Sequence, residues 1–186
     1  MANPMRRRLL AVVTALAATL SGSGLLSAQS TPPGGAYAND HASADAIISA
    51  LYAVISGPAG EKRDWDRFRS LFVPDARLIV ARTRPDSTGR ILPRVMSVDG
   101  YVAGAGGLEK NGFFEREIAQ TSETFGSVTH RFSTYESRHT AADPAPFARG
   151  INSIQLFNNG QRWYVVTIYW DSERPDLQIP DKYLPR

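Results

Sequence analysis

The sequence predicts an α+β fold: a mostly antiparallel sheet with three helices gathered on one of its faces. Three observations lead there. Amphipathic helical patterns occupy the first half of the ordered part and long strand patterns the second half. The segment "RGINSIQLFNNGQRWYVVTIYW", Arg149 to Trp170, reads as a closing hairpin with apolar residues at odd and even positions of both arms.

The first 28 of the 186 residues stand apart. Arg6, Arg7 and Arg8 precede an apolar run from Leu9 to Leu20, and small residues follow to Ala28, the layout of a secretory signal. That run is shorter than the roughly 20 residues a spanning helix needs, so no membrane span is expected once the signal is removed. The expected location is periplasmic or secreted. "QSTPPGGAYAN" then reads as part of a flexible leader over 29–42. Without the signal the chain holds 18 basic and 18 acidic residues, so the net +3 belongs to the export segment and nothing points to nucleic acid. With no cysteine, disulfides and thiol chemistry are excluded.

Order is expected from Ser43, an N-cap before Ala44, Ile47, Ile48, Leu51, Tyr52 and Ile55 at helical spacing; Gly57-Pro58 ends that helix. Asp64 caps a short second helix carrying Trp65, Phe68, Leu71 and Phe72. Strands are expected at "ARLIVART" and "RILPRVM", where Pro93 implies an edge, with Arg82 and Arg84 in a solvated hairpin. Ser97 starts a third helix weakened by four glycines. Strands follow at "FFEREIAQTSET" and "SVTHRFSTYESR" before the hairpin, giving a domain over 43–174 and an extended tail over 175–186.

The hairpin turn "NNG" admits a two-residue Asn159-Gly160 turn or a three-residue turn starting at Asn158. The three-residue turn puts Asn152, Ile154, Leu156, Tyr164, Val166, Ile168 and Trp170 on one face, which suits helices. Ser153, Gln155, Trp163, Thr167 and Tyr169 then share the other. An aromatic and polar surface of that kind resembles an interface, so a homodimer through the outer face is expected.

"FVPDARLIV", the order of elements and "FNNGQRWYVVTIYWDSE" resemble the nuclear transport factor 2-like superfamily, which includes ketosteroid isomerases and SnoaL-type cyclases. "GFFERE", "HRFSTYES", "RGINSIQL" and "IYWDSERP" look more narrowly like an exported bacterial branch of it. The resemblance implies a cone-shaped domain with a strongly curved sheet and a pocket on its concave side. The position of the ketosteroid isomerase base is taken by Val80. A substrate-binding tyrosine aligns with Tyr52, and its acidic partner with Asn152.

The candidate pocket residues are Tyr52, Trp65, Val80, Asn152, Tyr164 and Trp170, and the candidate catalytic base is His130, since imidazole titrates near neutral pH. Each has a structural alternative. Tyr52 and Asn152 satisfy one another, His130 is a bonded strand residue, and the tryptophans are core or interface aromatics. Glu115, Glu117 and Glu123 share alternation and read as a solvated strand face. No metal set or cofactor motif is evident. The function expected is binding of a small, apolar or carbonyl-bearing ligand. The alternatives are a lyase or isomerase using His130, or a non-catalytic accessory module.

Overall fold

The computed structural model describes residues 35–81 and 85–186. The expected signal, most of the expected leader, and Arg82 and Arg84 lie outside the described residues. Order begins before Ser43. Ala38–His41 form a 3-10 turn, His41 is buried with its Nδ1 2.9 Å from the Trp163 carbonyl, and Asp40 pairs with Arg67 at 2.7 Å. The end of the leader is therefore fixed to the domain by partners far along the chain, which no local pattern announces.

Helix α1, Ala44–Ile55, starts where the Ser43 hydroxyl accepts from Ala46 N at 2.9 Å, and it buries Ile47, Ile48, Leu51, Tyr52 and Ile55. Its far end is closed by Arg63, whose buried guanidinium donates to the carbonyls of Ile55 at 3.0 Å and Gly57 at 2.6 Å. A Cβ added at Gly57 would stand 2.6 Å from that guanidinium, so any larger residue there would have to displace it. The short helix α2, Trp65–Ser70, is capped by Asp64, which accepts from Arg67 N at 2.8 Å. The expected third helix is two short ones, α3, Val98–Gly104, and α4, Gly106–Asn111, meeting at Ala105 within the glycine-rich stretch.

Strands β1, Phe72–Val80, β2, Arg94–Met96, β3, Phe114–Phe125, β4, Val128–Arg138, β5, Ala148–Asn158, and β6, Trp163–Ser172, form one sheet in the order β2-β1-β6-β5-β4-β3. Its pairs are antiparallel apart from β1 with β6. The helices cover the inner face, where Leu78, Tyr135, Ile154, Leu156, Val165 and Ile168 join α1 and Phe68 in the core.

The closing hairpin takes neither turn expected from the sequence. Asn158 pairs with Trp163 across a four-residue turn, in which the Asn159 side chain accepts from the backbone N of Gln161 and Arg162, both at 2.9 Å. The register then slips once, so that Leu156 faces Val165 but Gln155 faces Thr167. Between turn and slip the alternation is inverted. Trp163, expected at the outer surface, packs against the core, and Tyr164, expected in the pocket, pairs with Phe157 outside. Beyond the slip Ile168 and Trp170 keep the expected face.

The chain's own tail covers part of the outer face. Thr134 Oγ1 donates to the Tyr183 carbonyl at 2.7 Å, Phe132 meets the Tyr183 ring edge-on with centroids 5.0 Å apart, and Ile179 is buried. A cleft of about 440 Å³ lies between the tail and Ile151, Ser153 and Tyr169.

Candidate functional site

On β4 the inner positions are Thr129, Arg131, Ser133, Tyr135 and Ser137, all buried. A stripe this polar needs partners, and β3, α1 and β5 supply them. Arg131 grips Glu117 with two nitrogens, Nε donating to Oε1 at 2.8 Å and Nη2 to Oε2. Ser133 Oγ donates to Glu117 Oε1 at 2.6 Å and lies 2.7 Å from the Tyr52 hydroxyl, to which Asn152 Nδ2 donates at 3.0 Å. Ser137 Oγ donates to Glu115 Oε2 at 2.7 Å.

The two glutamates reach this face through a bulge. Glu117 pairs with Tyr135 but Ala119 with Thr134, so Ile118 is the extra residue and alternation reverses across it. Glu115 and Glu117 point inward while Glu123, of the same parity in sequence, pairs with His130 on the outer face. The backbone N of Glu115 donates to Ser56 Oγ at 3.0 Å, and that hydroxyl donates to the Tyr52 carbonyl at 2.7 Å, fastening the end of α1 to β3.

Between α1, the neighbouring helices and the sheet lies a cavity of about 230 Å³. Leu51, Ile55, Phe68, Leu78, Ile168 and Trp170 make its apolar wall, and Tyr52, Tyr101, Glu115, Ser137 and Asn152 bring polar atoms to it. Burial pushes the Glu115 carboxyl up to about 7, against the Ser137 hydroxyl and Asn152 amide, which favour its charged form. Burial likewise raises Tyr52 and Tyr101, with the Glu115 charge adding to both. The Tyr101 ring stacks on Phe68 at 5.3 Å, and its hydroxyl has no hydrogen-bond partner among the described residues.

Known structures recognise this arrangement of chain. A protein of unknown function with a cystatin-like fold from Nostoc punctiforme is 9% identical and matches with a TM-score of 0.52 over 69% of this chain and 87% of its own. A nuclear transport factor 2-like protein of unknown function from Pseudomonas putida is 12% identical, with a TM-score of 0.51 over 72% of this chain and 88% of its own. The chain has the nuclear transport factor 2-like fold. No protein-family model and no curated protein matches the sequence. A fold of this kind hosts unrelated activities, so function must be argued from the site.

Within this nuclear transport factor 2-like frame the structure brings Tyr52, Asn152 and Trp170 to the cavity. Other candidates lie elsewhere. Trp65 faces α4, where its Nε1 donates to Glu109 Oε1 at 2.9 Å, because a half-buried indole N–H needs an acceptor and the apolar wall offers none. Val80 pairs with Trp170 near the end of β1, and Leu78 occupies the wall instead. Tyr164 is outside, as the inverted alternation requires, with Arg162 over its ring at 4.5 Å.

His130 is also on the outer face. Its Nε2 lies 3.0 Å from Ser153 Oγ, and its ring packs on Phe132 at 5.9 Å. The sheet itself separates it from the cavity, which removes it as the base. Of the expected interface residues, Ser153, Gln155, Thr167 and Tyr169 lie outside and Trp163 lies inside.

Glu115, which the sequence reading places on a solvated strand face, lines the cavity. One signal did point to it: Arg131, Ser133, Tyr135 and Ser137 alternate along β4, and a polar stripe facing the core demands acceptors from the adjacent strand.

Proposed function

We propose that this domain binds a small, mostly apolar molecule in the inner cavity, held at its one polar group by Glu115. The observation that supports this reading is a carboxyl, pushed up to about 7 by burial, that faces a cavity otherwise walled mainly by aliphatic and aromatic side chains. The space suits a ligand of roughly ten heavy atoms, since an apolar cavity near 150 Å³ holds benzene. Protonated, Glu115 donates to a carbonyl oxygen; ionised, it accepts from a hydroxyl. The spare Tyr101 hydroxyl is the second contact.

The same carboxyl supports an enzymatic reading, an isomerase or lyase acting beside a carbonyl group. A group with a pKa near the working pH both takes and returns a proton efficiently. In this reading Glu115 replaces His130 as base, and Tyr101 steadies the carbonyl oxygen. We also retain export, argued from the first 28 residues, and a homodimer through the uncovered part of the outer face as proposals.

Carvone, a ten-carbon cyclic enone, tests the cavity. Calorimetry is expected to give saturable binding, weakened roughly 5- to 10-fold in Tyr101→Phe. The affinity should change with pH through 7 in the native protein and stay flat in Glu115→Gln. Hydrogen exchange at the α-carbon in heavy water, present in the native protein and absent in Glu115→Gln, distinguishes turnover from binding. Affinity for carvone that is unchanged by both substitutions would show that the cavity is not the site.

A further inference from the structure

The hydrogen bonds around Tyr52 have a direction, and it can be derived. Glu117 is gripped by the Arg131 guanidinium through both its oxygens, and Asp45 holds Arg131 from the other side at 2.5 Å. A carboxylate so paired is ionised and only accepts. Ser133, 0% exposed, must therefore spend its one hydrogen on Glu117 at 2.6 Å. Its oxygen, 2.7 Å from the Tyr52 hydroxyl, then has only lone pairs to offer, so Tyr52 donates to Ser133. Tyr52 has no second hydrogen. Toward Asn152 it can only accept, and the amide must turn its nitrogen to it, at 3.0 Å.

We propose that Arg131, Glu117 and Ser133 are positioning residues that fix the hydrogens of Tyr52 and Asn152, so that the cavity meets the Asn152 amide as a donor beside Glu115 and does not meet the Tyr52 hydrogen at all. This rests on the reading of Glu115 as the polar group of the cavity. It also revises the role that resemblance gave Tyr52. A tyrosine whose hydrogen is committed to Ser133 is a support for Asn152, and the donor left free for a ligand is Tyr101. The arrangement is one-way: every member from Arg131 to Asn152 is oriented by the member before it, and the fixed charge of Arg131 sets the start.

The test is made on ligand-free protein by carbon-detected NMR titration of the Glu115 carboxyl. In Ser133→Ala the Tyr52 hydrogen loses its acceptor and turns to Asn152. The amide flips to present its oxygen, and Glu115 loses a donor. Its titration midpoint should rise by about one pH unit, the order expected for one hydrogen bond to a charged carboxylate. Thr124→Val removes another inner side-chain bond of β3 and β4, the 2.8 Å contact with Thr129, and should leave the midpoint alone. An unchanged midpoint in Ser133→Ala, or an equal rise in both variants, overturns the proposal. Because no ligand is present, failure of ligand binding and failure of this relay are separate results.

Discussion

Glu115 shows how much depends on one residue's surroundings. The group is acidic by type, yet burial holds its carboxyl at about 7 where the same side chain in an unfolded chain titrates near 4.5. Its folded pKa is raised, so the folded protein binds the extra proton between those two values. Glu115 therefore costs no stability below pH 4.5, and stability falls as pH rises through 7. Replacing it with glutamine should remove this loss and stabilise the protein at pH 8 by roughly 3 kcal/mol relative to the native chain, with little effect at pH 4. Urea unfolding at the two pH values checks it, and equal midpoints at pH 8 would show the carboxyl to be well solvated. Gly150 is a second residue whose meaning is tertiary. A Cβ there would stand 2.4 Å from the Tyr135 hydroxyl, which bonds Ser172 at 2.9 Å, so glycine lets this tyrosine lie across β5 beside the cavity.

At the scale of elements, the end of α1 and the two strand irregularities place the site. Helix α1 and its C-cap bring Tyr52 and Ser56 to β3, and the carbonyl of its last residue, Ile55, is satisfied by Arg63 from the following loop. Replacing Arg63 with methionine keeps the buried stem but takes the guanidinium donor from the Ile55 carbonyl, while the Gly57 carbonyl keeps its bond from Phe113 N. It should cost roughly 3 kcal/mol, while Arg94→Met, at an exposed position of β2, should cost nearly nothing. Equal denaturation midpoints for the two variants would show that Arg63 does not close the helix.

The start of α1 was legible from Ser43 and its apolar spacing, and its end from Gly57-Pro58, because capping and periodicity are local. The bulge at Ile118 and the slip after Gln155 were not. An extra residue in a strand leaves no mark in the alternation until the neighbouring strand is known. Those two steps account for the wrong sides given to Glu115, Glu117, Trp163 and Tyr164.

For the molecule as a whole, the question posed by a hairpin apolar on both arms has a two-part answer. Helices cover the inner face, and the tail crosses part of the outer one, with Ile179 and Tyr183 over Phe132 and Thr134. Tyr169 and Phe157 stay exposed. Removing residues 175–186 should bare Phe132 and Ile151, raise binding of the dye anilinonaphthalene sulfonate, and increase mass in solution with concentration. Carvone affinity should be unaffected, because the tail does not line the cavity. A truncated protein identical to the full chain in dye binding and mass would mean that the tail shields nothing.

The sequence by itself determined the α+β class, the helix starts and the strand-rich second half. Those follow from capping, periodicity and turn chemistry, which act over a few residues. Only the tertiary structure decided which carboxylate lines the cavity, that His130 looks away from it, and that Glu117, gripped by Arg131, meets Ser133 beside Tyr52. Those depend on which side of the sheet a side chain takes and what the adjacent strand presents there, and one inserted residue is enough to reverse the side.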